Sequence, residues 1–346
     1  MNLKLIEKLL VFGFVFWAFP AVASDLRFKP MAMGVSAGDR LNVKGFFGDV
    51  KMVAEPGAQS VVIQLVQSQS SSAPGFAQQM GDEWHFTVRK DGQTIFAEVE
   101  SPQSKQSWAK LLMSGGIPAY RLEIRGAALP VELNWREGNV TVQNWKGDIQ
   151  INQLAGKLNI QSVEGDARLF LQKGQLNVED HKGAVFVKTY DANVRAKKVE
   201  GPFSVENFSG VTNLDEVEGS IYLTAFKSPT VVENVKGRIE FKNGQGSLKI
   251  LDHEGAIRGH SGEGTVSVAV KGEADVRIKT EQGEVSLRAP GSGAWANLGT
   301  EEGTLYVPNY LKLNRYPSLK VREGRLKGQR SGRLFVRTQS GNIRLW

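Results

Sequence analysis

From residue 138 to residue 271 the chain alternates apolar and polar positions in short bursts, each closed by a bend residue. Glycines fall nine apart: Gly138, Gly147, Gly156, Gly165, Gly174, Gly183, Gly201, Gly210, Gly219, Gly237, Gly246, Gly255 and Gly264, with Ala192 and Ser228 where two more would stand. The second and fourth residues after a glycine are mostly apolar, as in Ile149 and Ile151, Leu158 and Ile160, Val185 and Val187, or Ile239 and Phe241. Period-two alternation predicts a strand with one buried face. A glycine at a fixed interval marks a bend that leaves no room for a Cβ. Each nonamer therefore reads as one short strand and one turn.

Two kinds of corner alternate. The eighth residue after the glycine is always charged in one set (Lys146, Glu164, Lys182, Glu200, Glu218, Lys236, Glu254) and mixed in the other (Ala155, Lys173, Asp191, Ser209, Lys227, Gln245, Glu263). The repeating unit is thus about eighteen residues with two strands, which is why Val199-Glu200-Gly201 returns as Val217-Glu218-Gly219. Such a unit cannot bury its apolar face alone, but stacked units can. The pattern predicts an all-β fold, a single-stranded parallel β-helix or β-solenoid, with coils ~4.8 Å apart and a regular rod of roughly 36 Å. Pro202 and Pro229 follow corner positions, where a missing N–H breaks no ladder. An antiparallel meander would need hairpin turns throughout, and Asn243-Gly244 is the single clear one in this stretch.

The flanks are less regular. Strands are predicted at 41–53, 60–66, 84–89, 94–99 and 120–124, with a loop at 68–75 and a long connection at 101–118 that holds a short turn near 107–113. Gly48, Val50 and Met52 already fit the template, so the solenoid is expected to begin there, with the rest of the N-terminal region as its cap. The template loosens after Gly272 and returns at Gly332 and Gly341. The expected organisation is a signal peptide at 1–23, an irregular N-terminal β region and cap at 24–137, the regular solenoid at 138–272, and C-terminal coils with a basic cap at 273–346.

The signal peptide rests on Lys4 and Lys8, the apolar run from Leu9 to Phe19, and the small residues Ala21 and Ala23. The run is short for a bilayer span, and the chain has no Cys to carry a lipid. The expectation is an exported protein without a transmembrane segment, in the periplasm or at the surface. The lack of Cys also excludes disulfides, thiolate metal sites and thiol catalysis.

The Gly-x-apolar-x-apolar pattern, the Val-x-Gly corners and the opening LNVKGFFGDVKM at 41–52 resemble the bacterial putative-adhesin family of β-solenoid proteins, a domain-of-unknown-function group. The resemblance implies a parallel β-helix in an envelope or exported protein, and it brings no catalytic residues with it.

Charge is uneven. The chain carries 43 Lys and Arg against 36 Asp and Glu, yet residues 312–346 hold ten of those cations against Glu323 alone. Alternation would set several of Lys320, Arg322, Arg325, Lys327, Arg330, Arg333, Arg337 and Arg344 on one outward face, suited to an anionic envelope polymer, lipid head groups or an envelope protein. The competing reading is a charged edge that prevents rod-to-rod pairing. Nucleic acid is disfavoured, because a set of stacking aromatics is missing from this segment.

Parallel β-helices also carry polysaccharide lyases and hydrolases, so an enzyme is the alternative function. Asp180-His181 and Asp252-His253 occupy equivalent repeat positions, but they lie four units apart and cannot share one site. They and His260 read as exposed corner residues. No nucleophile elbow, phosphate loop or calcium-type Gly-Gly-x-Gly-x-Asp repeat is present, so no cofactor or metal is expected. The sequence predicts a non-enzymatic scaffold or adhesion module.

Overall fold

The computed structural model describes residues 26–67, 85–100, 120–290, 293–307, 314–316, 320–329 and 331–346. The expected signal peptide at 1–23, the loop at 68–75, the long connection at 101–118 with its turn near 107–113, and Arg330 lie outside these residues. Among the described residues every regular element is a strand, and no helix is long and apolar enough to cross a membrane.

The strands stack as parallel rungs with a register of eighteen: Ile149 pairs with Ala167, Ala167 with Val185, Val185 with Phe203, and so on to Ile239 with Ile257. The predicted β-solenoid is present. Each rung has a front wall (149–153 and its equivalents), a back wall (158–161 and equivalents) and a short third side. Seven residues in the left-handed region mark the step between the last two: Asn144, Ser162, Asp180, Lys198, Glu216, Asn234 and Asp252, each with φ between 51° and 57°. Short polar side chains tolerate that conformation best, which accounts for Asn and Asp at four of the seven. The step turns the next residue inward, and Trp145, Val163, His181, Val199, Val217, Val235 and His253 form one buried column.

Inward positions build one continuous core of Val, Ile and Leu. Bulk is balanced between rungs. Phe241 stands against Gly259, where a Cβ would meet its ring at 2.3 Å, and Trp135 stands against Gly45, where a Cβ would meet its ring at 2.2 Å. At the corner after the front wall, a column of buried polar side chains satisfies turn carbonyls. Gln153 donates to Gly138 O, Asn243 to Gly246 O, Ser261 to Gly264 O and Thr280 to Gly283 O. Unpaired, each of those carbonyls would cost about 1–3 kcal/mol. On the outside, charged corner residues pair between rungs, as in Lys146–Glu164 and Lys182–Glu200. These pairs are exposed and contribute at most about 1 kcal/mol each.

Rung order departs from chain order at both ends. The first rung of the chain (Arg40–Phe47 and Asp49–Ala54) lies between Val131–Gln143 on one side and Thr94–Glu100 with Tyr120–Gly126 on the other. The last segments of the chain (Gly332–Thr338 and Ile343–Leu345) likewise lie inside an outer rung made by Trp295–Thr300 and Leu305–Tyr306. Antiparallel strands then cover the outer rungs: His85–Asp91 and Ser60–Gln67 at one end, Val321–Arg325 and Asn314–Tyr316 at the other. Arg322 stands opposite the buried Leu298, on the core side of this last layer.

Candidate functional site

The eight basic residues singled out from the sequence do not gather on one face. Arg344 belongs to the back wall, where it pairs with Glu284 (N···O 2.7 Å) and lies 4.8 Å over the Tyr306 ring. Arg322 is on the core side, as described. Lys320 reaches the carbonyl of Glu302 at 3.3 Å. Lys327 is exposed, and Arg330 is outside the described residues. The remaining three share the outward side of the front wall. Arg325 and Arg333 flank Trp295 in register, and Arg337 sits between Lys279 and Gly299.

Arg337 is the best fixed of the three. Its guanidinium donates to Asn297 O at 3.1 Å, to Val336 O at 2.9 Å and to Asn297 Oδ1 at 2.5 Å, and it lies 4.3 Å over the Phe335 ring. Gly299 leaves the room it occupies, since a Cβ there would stand 3.1 Å from Nε. Burial pulls the Arg337 pKa down from the usual guanidinium value, with Glu323 acting the other way, and the group remains a cation.

Four consecutive rungs place a basic residue at this column: Lys242 pairs with His260, His260 with Lys279, and Lys279 with Arg337. One column over, Arg258 pairs with Arg277. The like charges at Lys279–Arg337 and Arg258–Arg277 repel by about 1 kcal/mol even in water. Carboxylates do little to relieve it. His260 meets Glu281 at 3.3 Å, whereas Lys242, Arg258 and Lys279 have no carboxylate partner among the described residues. Beside the column is an open hollow of about 720 Å³ lined by His260, Lys279, Phe335, Arg337 and Gln339 among others. Sequence reasoning missed this group. The step from Lys242 to His260 was readable as one repeat unit, but the neighbour of Lys279 comes from the end of the chain.

A second feature lies further along the same side. Tyr190, Phe208 and Phe226 stack on successive rungs, with ring centroids 4.8 and 4.9 Å apart and interplanar angles of 1° and 19°. They are 57%, 38% and 45% exposed. Because the rings cover each other's faces, they present a ridge of edges to solvent rather than open platforms. Gly244 continues the column, and a Cβ there would come within 2.9 Å of the Phe226 ring. Leu154, Phe170, Phe186 and Tyr222 are also exposed on this wall.

The histidines are a correction. His181 and His253 are not exposed corner residues; they are 1% and 0% accessible, in the inward column after the left-handed step. None of their ring nitrogens has a well-formed hydrogen bond in the protein. Burial pushes both pKa values below the ordinary histidine range. The Gly165 backbone and Asp166 oppose this at His181, and the backbone at Val235, Ala256 and Gly255, with Glu254, at His253. Neither can meet a substrate at the surface. His260 is exposed, as expected. Among the described residues no cluster of three His, Asp or Glu could hold a metal ion. A hollow of about 710 Å³ at the other end, between 34–39 and 128–130, offers one acid, Asp39, already bound to Lys90 at 2.5 Å.

No family model matches the chain, and no curated protein matches it. Solved structures that it resembles include chains named as adhesins and one named as a lipid binding protein. One is a "putative adhesin" from Bacteroides fragilis, at 12% identity over 94% of this chain and 99% of that one, with a TM-score of 0.29. A second is a "putative lipid binding protein" from Parabacteroides distasonis, at 11% identity over 92% and 96%, with a TM-score of 0.34. A third is a "putative adhesin" from the same organism, at 12% identity over 75% and 97%, with a TM-score of 0.35.

Proposed function

We propose that this chain is an exported, non-enzymatic binding module of the bacterial envelope, a scaffold or adhesin whose rod presents contact groups along its front wall. The observation that carries this is the exposed ridge Tyr190–Phe208–Phe226. Aromatic side chains left in water on a rigid sheet are what contact surfaces are made of, since they bury much area at little cost in side-chain freedom. The fold adds rigidity, because each rung is fixed by two neighbours. The apolar leader at 1–23 supports export. The front-wall column that ends in Lys279 and Arg337 supplies charge where the ridge supplies apolar area.

The test is cosedimentation of the purified chain with isolated envelope sacculi and outer membrane. The parent chain should pellet with them. A variant carrying Tyr190→Ser, Phe208→Ser and Phe226→Ser, checked for an unchanged far-UV spectrum, should stay in the supernatant. A parent chain that never pellets, or a variant that pellets as well as the parent, would sink the proposal.

A further inference from the structure

We infer that the basic column on the front wall, Lys242–His260–Lys279–Arg337 with Arg258 and Arg277 beside it, is a binding trough for one linear, carboxylate-bearing polysaccharide lying along the rod axis. This rests on the reading of the chain as a binding module and names the ligand class for one part of it.

Three independent observations meet at this place. Basic residues repeat in register over four rungs, with cations directly opposite at Lys279–Arg337 and Arg258–Arg277, although like charges directly opposite one another in a sheet are unfavourable. Elsewhere on the rod, rung neighbours often neutralise each other, as Lys188 does with Glu206 and Lys197 with Asp215. A local rule broken without a structural gain points to a functional one. Arg337 is held in advance by Asn297, Val336 and Phe335, with Gly299 keeping its place open. A group already ordered loses little freedom on binding. The hollow of about 720 Å³ gives a ligand somewhere to lie.

Geometry selects the ligand. Rungs ~4.8 Å apart put the four basic side chains in single file over roughly 14 Å. A polymer with one carboxylate per sugar repeats its charge on a similar length and can follow that file. A planar membrane needs a broad basic face, but this file is narrow and bordered by acids. Glu281 and Glu301 lie on one side, and Asp275 and Glu323 on the other. A single-stranded nucleic acid needs free aromatic faces, and the Phe335 ring has guanidinium groups of Arg277 at 5.4 Å and Arg337 at 4.3 Å.

The experiment measures binding of the whole chain to polygalacturonate, with its full methyl ester, phosphatidylglycerol vesicles and an oligothymidylate as the other arms. Polygalacturonate should bind, weaken as salt is raised, and lose affinity about tenfold in a Lys242→Gln, Lys279→Gln variant, while Lys327→Gln changes nothing. The double variant should melt no lower than the parent, because the substitutions remove repulsion. Equal affinity of the double variant and the parent, or tighter binding of vesicles or oligothymidylate than of polygalacturonate, would overturn the assignment. A chain that pellets with envelope yet ignores polygalacturonate would overturn the trough and leave the binding module standing. Failure in both assays would remove both.

Discussion

Gly156 stands so close to Gly138 on the rung before it that a Cβ on Gly156 would lie 1.8 Å from the Gly138 carbonyl oxygen. Gly156 also holds φ at +126°, which L side chains rarely adopt. The same carbonyl accepts the Gln153 amide at 2.6 Å, so it has nowhere to retreat. Gly156→Ala should therefore cost about 2–4 kcal/mol, read as a lower urea midpoint. Ala192 occupies the same column without positive φ, so Ala192→Gly should cost only about 0.5–1 kcal/mol. Equal effects at the two positions would refute this account of the corner.

Stability should fall in mild acid. His181 and His253 have pKa values lowered by burial. The unfolded chain then binds protons that the folded chain refuses. The stability from the neutral rings is complete above the ordinary histidine value of about 6.5 and is lost as pH drops from there through the lowered folded values. Valine fills the same column at Val163, Val199, Val217 and Val235. A His181→Val, His253→Val variant should gain on the parent between pH 7.5 and pH 5, by about 1.4 kcal/mol for each pK unit that separates folded from unfolded at each site. Parallel melting curves for the two proteins across that range would contradict it.

Removing residues 332–346 should free more than the chain end. The rung they form lies between 274–288 and 295–306. Without Leu334, Val336, Ile343 and Leu345, the outer rung has no parallel partner and Val276, Ile278 and Leu287 lose their cover. Limited proteolysis of the truncated chain should trim it to a resistant core ending near residue 288. A product that keeps 295–306 protected would show that the outer rung docks unaided.

Gly299→Val should displace the Arg337 guanidinium, because the Cβ position is 3.1–3.2 Å from Nε, Cδ and Cζ. Loss of the Asn297 hydrogen bonds should lower the melting midpoint by about 1–2 kcal/mol equivalent. Arg337→Lys should lose a comparable amount, since it keeps the charge but not the fork that holds Asn297. An Arg337→Lys variant as stable as the parent would mean that the cation alone matters here.

The coil was legible because its repeat is enforced by sterics. Glycine where a carbonyl of the previous rung intrudes and alternation on two walls both leave marks in one sequence. The inward turn at His181 and His253 was legible too, through Trp145, Val163 and Val199 at the equivalent position, but polarity argued for the surface and won. The buried amides and hydroxyls of Gln153, Asn243 and Ser261 look like ordinary turn residues, and only the carbonyls they meet reveal their place. The ends were not readable. Lys279 and Arg337 become neighbours because a late segment inserts between earlier ones, and no local pattern announces such an insertion. For the same reason the basic residues at 320–344 looked like one cluster and are dispersed over two walls and the core side.

Both ends are closed by segments threaded back beneath an outer layer, so the one part of the rod free to vary is its midsection. Duplicating a unit between Phe226 and Lys242 would leave both closures intact and move the aromatic ridge ~4.8 Å further from the basic column. On the proposed reading, repeat number would set the distance between the two contacts without altering the chemistry of either.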